Sequence, residues 1–335
     1  MALVLTRRKI QTALLAFALL FLTQPFAHAQ KAIRLGFSEG TDTPHGQTMT
    51  IFSKLVERAT QGRYRVRLFP NLQLGPVAQE LQSVKLGTQE MFISTPAWFS
   101  GFYPKVDVLS LPYMASDWDE AERLLTSPAL KKIEADAEAA SGIKILAAIP
   151  VGFRNMATRN KLITKLDDFA GLKIRVQNSP VYLAIFKALG ANPVAIDAGE
   201  IFLAVQNGVV DGLETTYPIM LSSKYYQVAP DISETRHNFD VFFIYMNKKF
   251  FETMSPEDQK AVQGAMDSAA IASITITRNA EDQAKRGLLA AGAKVQEVPK
   301  ETLDAMRQKV KSVYDQFKGK FGDEIGELQK AVTTN

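Results

Sequence analysis

The sequence predicts an α/β protein of two domains whose chain passes between them more than once. Three observations carry this. The 335 residues suffice for about two domains, each able to bury its own core. Short apolar runs alternate with amphipathic helical patterns, which argues for parallel-rich sheets covered by helices. No Ser/Gly linker, low-complexity tract or internal repeat interrupts the chain, so two domains joined by one flexible tether are not expected.

The elements follow in order. Ile33–Phe37 reads as a buried strand, and Gln47–Thr60 as a helix with Met49, Phe52, Leu55, Val56 and Ala59 on one face. Gln61-Gly62 ends that helix, and Tyr64–Phe69 alternates like a strand up to Pro70. Pro76 opens the next helix and Gly87 closes it, with Val77, Leu81, Val84 and Leu86 apolar between them. Met91–Ser94, Ile143–Ile149, Leu172–Val176 and Pro193–Ile196 read as further short strands. From Pro256 to Val332 the chain is largely helical and charged, without a sustained coiled-coil repeat. Ahead of all this stand Arg7-Arg8-Lys9, the apolar run Ala13–Leu22, Pro25 and Ala27-His28-Ala29, the parts of a signal peptide covering residues 1–29. The run is too short to cross ~30 Å of hydrocarbon comfortably. Cleavage near Ala29 is expected, leaving a soluble, exported protein that begins at Gln30.

Charge and composition exclude whole classes of function. Subtracting Arg7, Arg8 and Lys9 from the 39 basic residues leaves 36 against 35 acidic ones, so no polybasic footprint for nucleic acid or anionic lipid remains. With no cysteine there is no disulfide, zinc ribbon, thiol nucleophile, iron–sulfur cluster or lipidated cysteine anchor. His45 and His237 are too few for a His-rich metal site. No Walker loop, H-E-x-x-H or G-x-G-x-x-G is present, and no cofactor is expected. Gly36-Phe37-Ser38-Glu39-Gly40 matches G-x-S-x-G, but the elbow needs a helix starting at the nucleophile, and Thr41-Asp42-Thr43-Pro44 intervenes. Asp167-Asp168 reads as a cap or a solvent-facing pair. An exported, linker-free, two-domain α/β chain without catalytic machinery is most simply a ligand-binding protein.

Several stretches, taken together, resemble the solute-binding proteins of TRAP transporters, the DctP-like family. They begin with Gly62-Arg63, Phe69-Pro70-Asn71, Gln73-Leu74-Gly75 and Leu86-Gly87-Thr88-Gln89-Glu90-Met91. The most specific block runs from Gly171-Leu172-Lys173-Ile174-Arg175-Val176 through Ser179-Pro180, Gly190-Ala191-Asn192-Pro193 and Gln206-Asn207-Gly208 to Asp211-Gly212-Leu213-Glu214. Lys248-Lys249-Phe250 and Ser255-Pro256-Glu257-Asp258-Gln259 complete the set. The resemblance implies a periplasmic-binding-protein-like fold: two α/β domains around a ligand cleft, with hinge segments and a long C-terminal helix spanning both. It places one domain at residues 30–151 plus about 241–281, and the other at 152–240 plus about 282–335. It also implies a periplasmic monomer that captures an organic acid and hands it to the membrane subunits of a sodium-driven permease, with no chemistry of its own. A binding protein for another importer or sensor is the alternative, and an exported serine hydrolase using Ser38 is a distant one.

The same resemblance places Arg175 where the family's arginine clamps the ligand carboxylate. A guanidinium suits that task because two parallel N–H groups meet two carboxylate oxygens, a fork that lysine lacks. Arg154 matches a second arginine near the domain crossing, which either binds ligand or holds Glu214 in a structural ion pair. Ser38 and Glu39 are expected to line the cleft from the first strand-to-helix loop. Three positions depart from relatives: Thr215 stands where asparagine is usual, Ala198 near where sugar-acid binders place an aromatic, and Trp98 where they carry a charge. One wall is therefore expected to keep its carboxylate anchor while the other is more apolar, which favours a smaller acid with an apolar or aromatic portion. A C4-dicarboxylate or a sugar acid stays open.

Overall fold

The computed structural model describes residues 30–333; the signal peptide read from residues 1–29 lies outside the described residues. The first strand, β1 (Lys31–Gly36), buries Ile33 and Leu35 and leads into α1 (Pro44–Ala59). Thr43 caps that helix by accepting from the Gly46 amide at 3.2 Å, and Met49, Phe52 and Val56 form its buried stripe. Next come β2 (Tyr64–Phe69), α2 (Val77–Leu86) and β3 (Met91–Ser94). Gly87 ends α2 at φ 83°, a left-handed conformation that favours glycine. A short α3 (Pro96–Phe99), then α4 (Trp118–Thr126) and α5 (Pro128–Ser141), lead to β4 (Ile143–Thr158). The second wing contains β5 (Lys173–Val176), α6 (Pro180–Ala188), β6 (Asn192–Ala195), α7 (Ile201–Gln206), β7 (Gly212–Thr215) and α8 (Tyr217–Ser222). The chain returns through β8 (Asp231–Asn247) and ends with α9 (Lys248–Glu252), α10 (Pro256–Ala290), β9 (Lys294–Glu297), α11 (Lys300–Phe321) and α12 (Glu324–Thr333).

The strands form one open sheet in the order β2-β1-β3-β8-β4-β7-β5-β6, with β9 paired to β8. Its wings are parallel: β2, β1 and β3 on one side, and β7, β5 and β6 on the other. Between them, the 16-residue β4 and the 17-residue β8 run antiparallel along the whole molecule. These two strands are the crossings that the missing linker required. Only the first half of β4 was expected, and β8 and β9 were not. The first half of β8 carries Ser233, Thr235, His237, Asn238 and Asp240 inside and so shows no apolar pattern, whereas its second half, Val241–Met246, is the continuous apolar run of a strand buried on both faces.

Apolar cores cover both faces of the sheet, and each continues across the two wings. Phe92, Phe153, Ile174, Val176, Phe239, Phe243 and Tyr245 belong to one. Leu35, Ile93, Leu213, Phe242, Ile244 and Met246 belong to the other. Burying a side chain of this size is worth about 1.5–3 kcal/mol, so the two-sided burial of β4 and β8 fixes their register strongly.

The 35-residue α10 packs along α1 at one end and α8 at the other, so it spans both wings. Its N-cap is Ser255, which accepts from the Asp258 amide at 3.1 Å, and Pro256 opens the first turn. Midway along the sheet, Glu281 of α10 accepts from the Phe153 amide at 2.7 Å and from Trp118 Nε1 at 3.0 Å. Here β4 slips register between Pro150 and Gly152, and Gly152 sits at φ 113° against Glu281. A Cβ at Gly152 would come within 2.5 Å of Glu281 Oε1, so glycine is required twice over. Farther on, α11 packs against α6 while α12 returns to α4 and α5.

Candidate functional site

The loops that follow β1, β3, β5 and β6 converge on one cavity, the position where open α/β sheets hold ligands. Every residue expected at the site lies on its lining: Ser38, Glu39, Trp98, Arg154, Arg175 and Thr215. Ala198 is there too. The residues that sequence reasoning missed are Ser94, Thr95, Gln177, Ile201, Ile219, Tyr225 and Phe242. The cavity is small, about 50 Å³ to the centres of water-sized spheres. A groove of about 800 Å³ measured the same way runs between α11, α12 and the Pro112–Ser116 loop, but it shares no residue with this site.

Arg175 lies on β5, between Leu213 of β7 and Val194 of β6. Its side chain is 3% exposed, and Nε donates to the Ile196 carbonyl at 2.9 Å. Among the described residues, no protein group accepts from its two terminal nitrogens. Burial without a carboxylate partner lowers its pKa below the ordinary arginine value, against the opposing pull of Glu214. A desolvated cation with four N–H groups directed to no protein acceptor is the strongest anion attractor on this lining.

Arg154 is equally buried but fully engaged. It lies on β4, where its Nε and Nη2 grip the Glu214 carboxylate, Nη2 to Oε1 at 2.8 Å. Nη2 also reaches the Glu214 carbonyl at 2.6 Å, and Nη1 donates to Asp240 Oδ2 at 2.7 Å. The guanidinium lies over the Tyr182 ring, 5.4 Å from its centroid. Burial opposes ionisation of Glu214, but Arg154 and His237 outweigh it and hold the carboxyl below its ordinary value. For Asp240, burial wins over Arg154 and pushes the carboxyl up to about 6. Of the two roles open to Arg154, the ion pair with Glu214 is present, and Asp240 extends it.

The network continues across the cleft. Asp240 Oδ2 also accepts from Gln177 Nε2 at 3.3 Å, and Gln177 Oε1 accepts from the Thr95 hydroxyl. Thr95 follows β3 of the first wing and Gln177 follows β5 of the second, so this bond ties the two walls together. At the rim, Ser222 donates to Asp42 Oδ1 at 3.0 Å between α8 and the loop before α1. The apolar residues of the lining come from both wings, Trp98 from the first and Ala198, Ile201 and Ile219 from the second, with Phe242 on β8. Burial pushes the Tyr225 hydroxyl up to about 12, so it stays neutral. Ser38 shares the cavity with these groups, six residues before α1 begins, so the G-x-S-x-G match is not a nucleophile elbow.

A two-winged sheet with a buried, carboxylate-free arginine on the cavity between its wings has the architecture of a binding protein for a small anion. The chain belongs to the DctP family, bacterial extracellular solute-binding protein family 7, whose model matches residues 35–320. It is 30% identical over 332 residues to the C4-dicarboxylate-binding periplasmic protein DctP of Rhodobacter capsulatus, covering 98% of this chain and 99% of the relative. Among solved structures it resembles the sugar acid binding protein DctPAm of Advenella mimigardefordensis in complex with galactonate, with 29% identity and a TM-score of 0.87 over 90% of this chain and 98% of that one. A TRAP periplasmic solute binding protein of Shewanella oneidensis with bound succinate is similar at 25% identity and a TM-score of 0.87, covering 91% of this chain and all of that one. Members of this family bind solutes rather than transform them, so the hydrolase alternative at Ser38 is set aside. Among the described residues no helix is long and apolar enough to cross a membrane.

Proposed function

We propose that this protein works in the periplasm, captures a small organic acid by its carboxylate, and delivers it to a sodium-driven TRAP permease. The observation that carries the reading is Arg175, a buried guanidinium on the cavity lining whose terminal nitrogens have no protein acceptor among the described residues. A ligand carboxylate there forms two parallel charge-assisted bonds in a site from which water is largely excluded, which offsets the cost of burying both charges. Thr215, Gln177 and Tyr225 offer neutral hydrogen-bonding groups for the rest of the ligand, with Trp98 and Phe242 as apolar neighbours. Ser38 and Glu39 complete the wall contributed by the first wing.

In this reading the two bodies that close on ligand are residues 30–151 with about 241–281, and 152–240 with about 282–335. They bend where β4 slips register at Pro150–Gly152 and Arg154–Met156. The closed form then presents the permease with a surface drawn from both bodies. A thermal-shift screen of the purified mature protein against organic acids tests the reading. A ligand at 100 times its dissociation constant stabilises the native state by about 2.7 kcal/mol, which the melting point reports. At least one acid should raise the melting point of wild type and leave Arg175→Ala unmoved. A screen in which no acid raises it would refute the proposal.

A further inference from the structure

Two arginines line the cavity, yet their charges are not equally available. Arg154 faces Glu214 and Asp240 at once, with Nη1 2.7 Å from Asp240 and Nη2 2.8 Å from Glu214. Two carboxylates therefore more than cancel one guanidinium. Asp240 titrates near 6, so it is ionised at pH 7.5 and the cancellation is complete there. Glu39 is the one carboxylate on the lining itself among the described residues, and its Oε2 is buried with no hydrogen bond of its own. His45 Nε2 stands 3.0 Å from that oxygen, but also 2.9 Å from the Thr43 hydroxyl, to which it is hydrogen-bonded. No lysine lines the cavity. Among the described residues, Arg175 is thus the one cation on the lining whose terminal nitrogens have no acceptor.

We propose that the cavity is a monocarboxylate filter: it accepts acids with one carboxylate and a neutral remainder, and rejects dicarboxylates of the same length. The inference rests on the organic-acid reading above and narrows it. A first carboxylate pairs with Arg175. A second, buried in the same small cavity, meets the Glu39 carboxylate and no uncompensated cation, since Arg154 is already paired to Glu214 and Asp240, so it is desolvated without a partner. A hydroxyl at the distal end suits the site better, since it brings no second charge into the cavity and can donate beside the Glu39 carboxylate. The succinate-bound relative from Shewanella oneidensis shows that the fold itself tolerates two carboxylates, so the discrimination belongs to this chain's own residues.

The test is calorimetric titration of the mature protein at pH 7.5 with pairs matched in length: 4-hydroxybutanoate against succinate, 5-hydroxypentanoate against glutarate, and 4-(hydroxymethyl)phenylacetate against 4-carboxyphenylacetate. Within each pair that binds, the monoacid should bind about tenfold tighter or more, the scale expected for an unpaired buried charge. Glu39→Gln should shrink that ratio by about threefold or more. Asp240→Asn, which returns part of the charge of Arg154, should shrink it as well, and apo melting curves check that each variant folds. A dicarboxylate that binds as tightly as its partner, and loses affinity in Arg175→Ala, overturns the filter while leaving the organic-acid reading intact. If no acid of any pair binds, the organic-acid reading fails and the filter falls with it.

Discussion

Arg154 and Arg175 lie on one cavity and are both 3% exposed, but their replacement should have opposite consequences. Arg154→Ala removes the only guanidinium among the described residues bound to Glu214 and Asp240, two carboxylates buried at 0% and 4% exposure. Breaking a buried pair by deleting one partner costs about 3–5 kcal/mol, because the surviving charge stays desolvated. Here two survivors remain, so the upper part of that range, about 4–5 kcal/mol, is expected, and at ~2–4 °C per kcal/mol the melting point should fall by roughly 8–20 °C. The loss should ease at acid pH. Asp240, already raised by burial to about 6, takes up a proton below that pH and no longer needs its cation. Denaturant unfolding followed by circular dichroism at pH 5 and pH 8 measures both effects. An Arg154→Ala protein as stable as wild type at pH 8, but unable to bind ligand, would refute this reasoning and make Arg154 a ligand arm.

Two further outcomes follow. Glu80 of α2 is fully buried, accepts from Gln89 Nε2 at 2.7 Å through Oε2, and has no partner at Oε1. Burial raises it from 4.5 to about 7, so the native state holds its proton more tightly than the unfolded chain, and stability falls as pH rises between those values. Glu80→Gln should therefore be more stable than wild type at pH 8 by at most about 3 kcal/mol and indistinguishable near pH 4.5; a variant less stable at pH 8 would show that the ionised form has a partner. Hinge closure should appear in small-angle scattering as a smaller radius of gyration at saturating ligand, and an unchanged radius would count against two moving bodies.

The reach of the sequence differed from element to element. α1 and α2 were legible because their apolar stripes and their Pro and Gly punctuation agree. β8 was legible only in its second half, where the apolar run Val241–Met246 is the signal of a doubly buried strand that sequence reasoning passed over; in its first half the inward polar groups hide the strand. That gap explains why Asp240 and Phe242 went unseen: residues on an unread strand cannot be assigned a side. Gln177 was within reach, since it stands two residues beyond Arg175, and a period of two returns to the same side of an extended segment. Thr95 was not, since its bond to Gln177 joins residues 82 apart across the cleft. For Arg154 the sequence left two roles open; only the positions of Glu214 on β7 and Asp240 on β8 distinguish them.

The central claim is that Arg175 holds the ligand carboxylate with a two-pronged contact, and one calorimetric comparison tests it directly. Wild type, Arg175→Ala and Arg175→Lys are titrated with an acid that binds wild type, alongside apo melting curves. Arg175→Ala should cost about 2–5 kcal/mol, a loss of roughly 30- to several-thousand-fold, because the ligand carboxylate stays buried without its partner. Arg175→Lys should recover only part of the loss, since a point charge lacks the fork. Both apo proteins should melt no lower than wild type, because Arg175 makes one protein hydrogen bond and is a buried cation without a carboxylate. If Arg175→Lys binds as tightly as wild type, the two-pronged clamp is contradicted and the acid is held elsewhere on the lining.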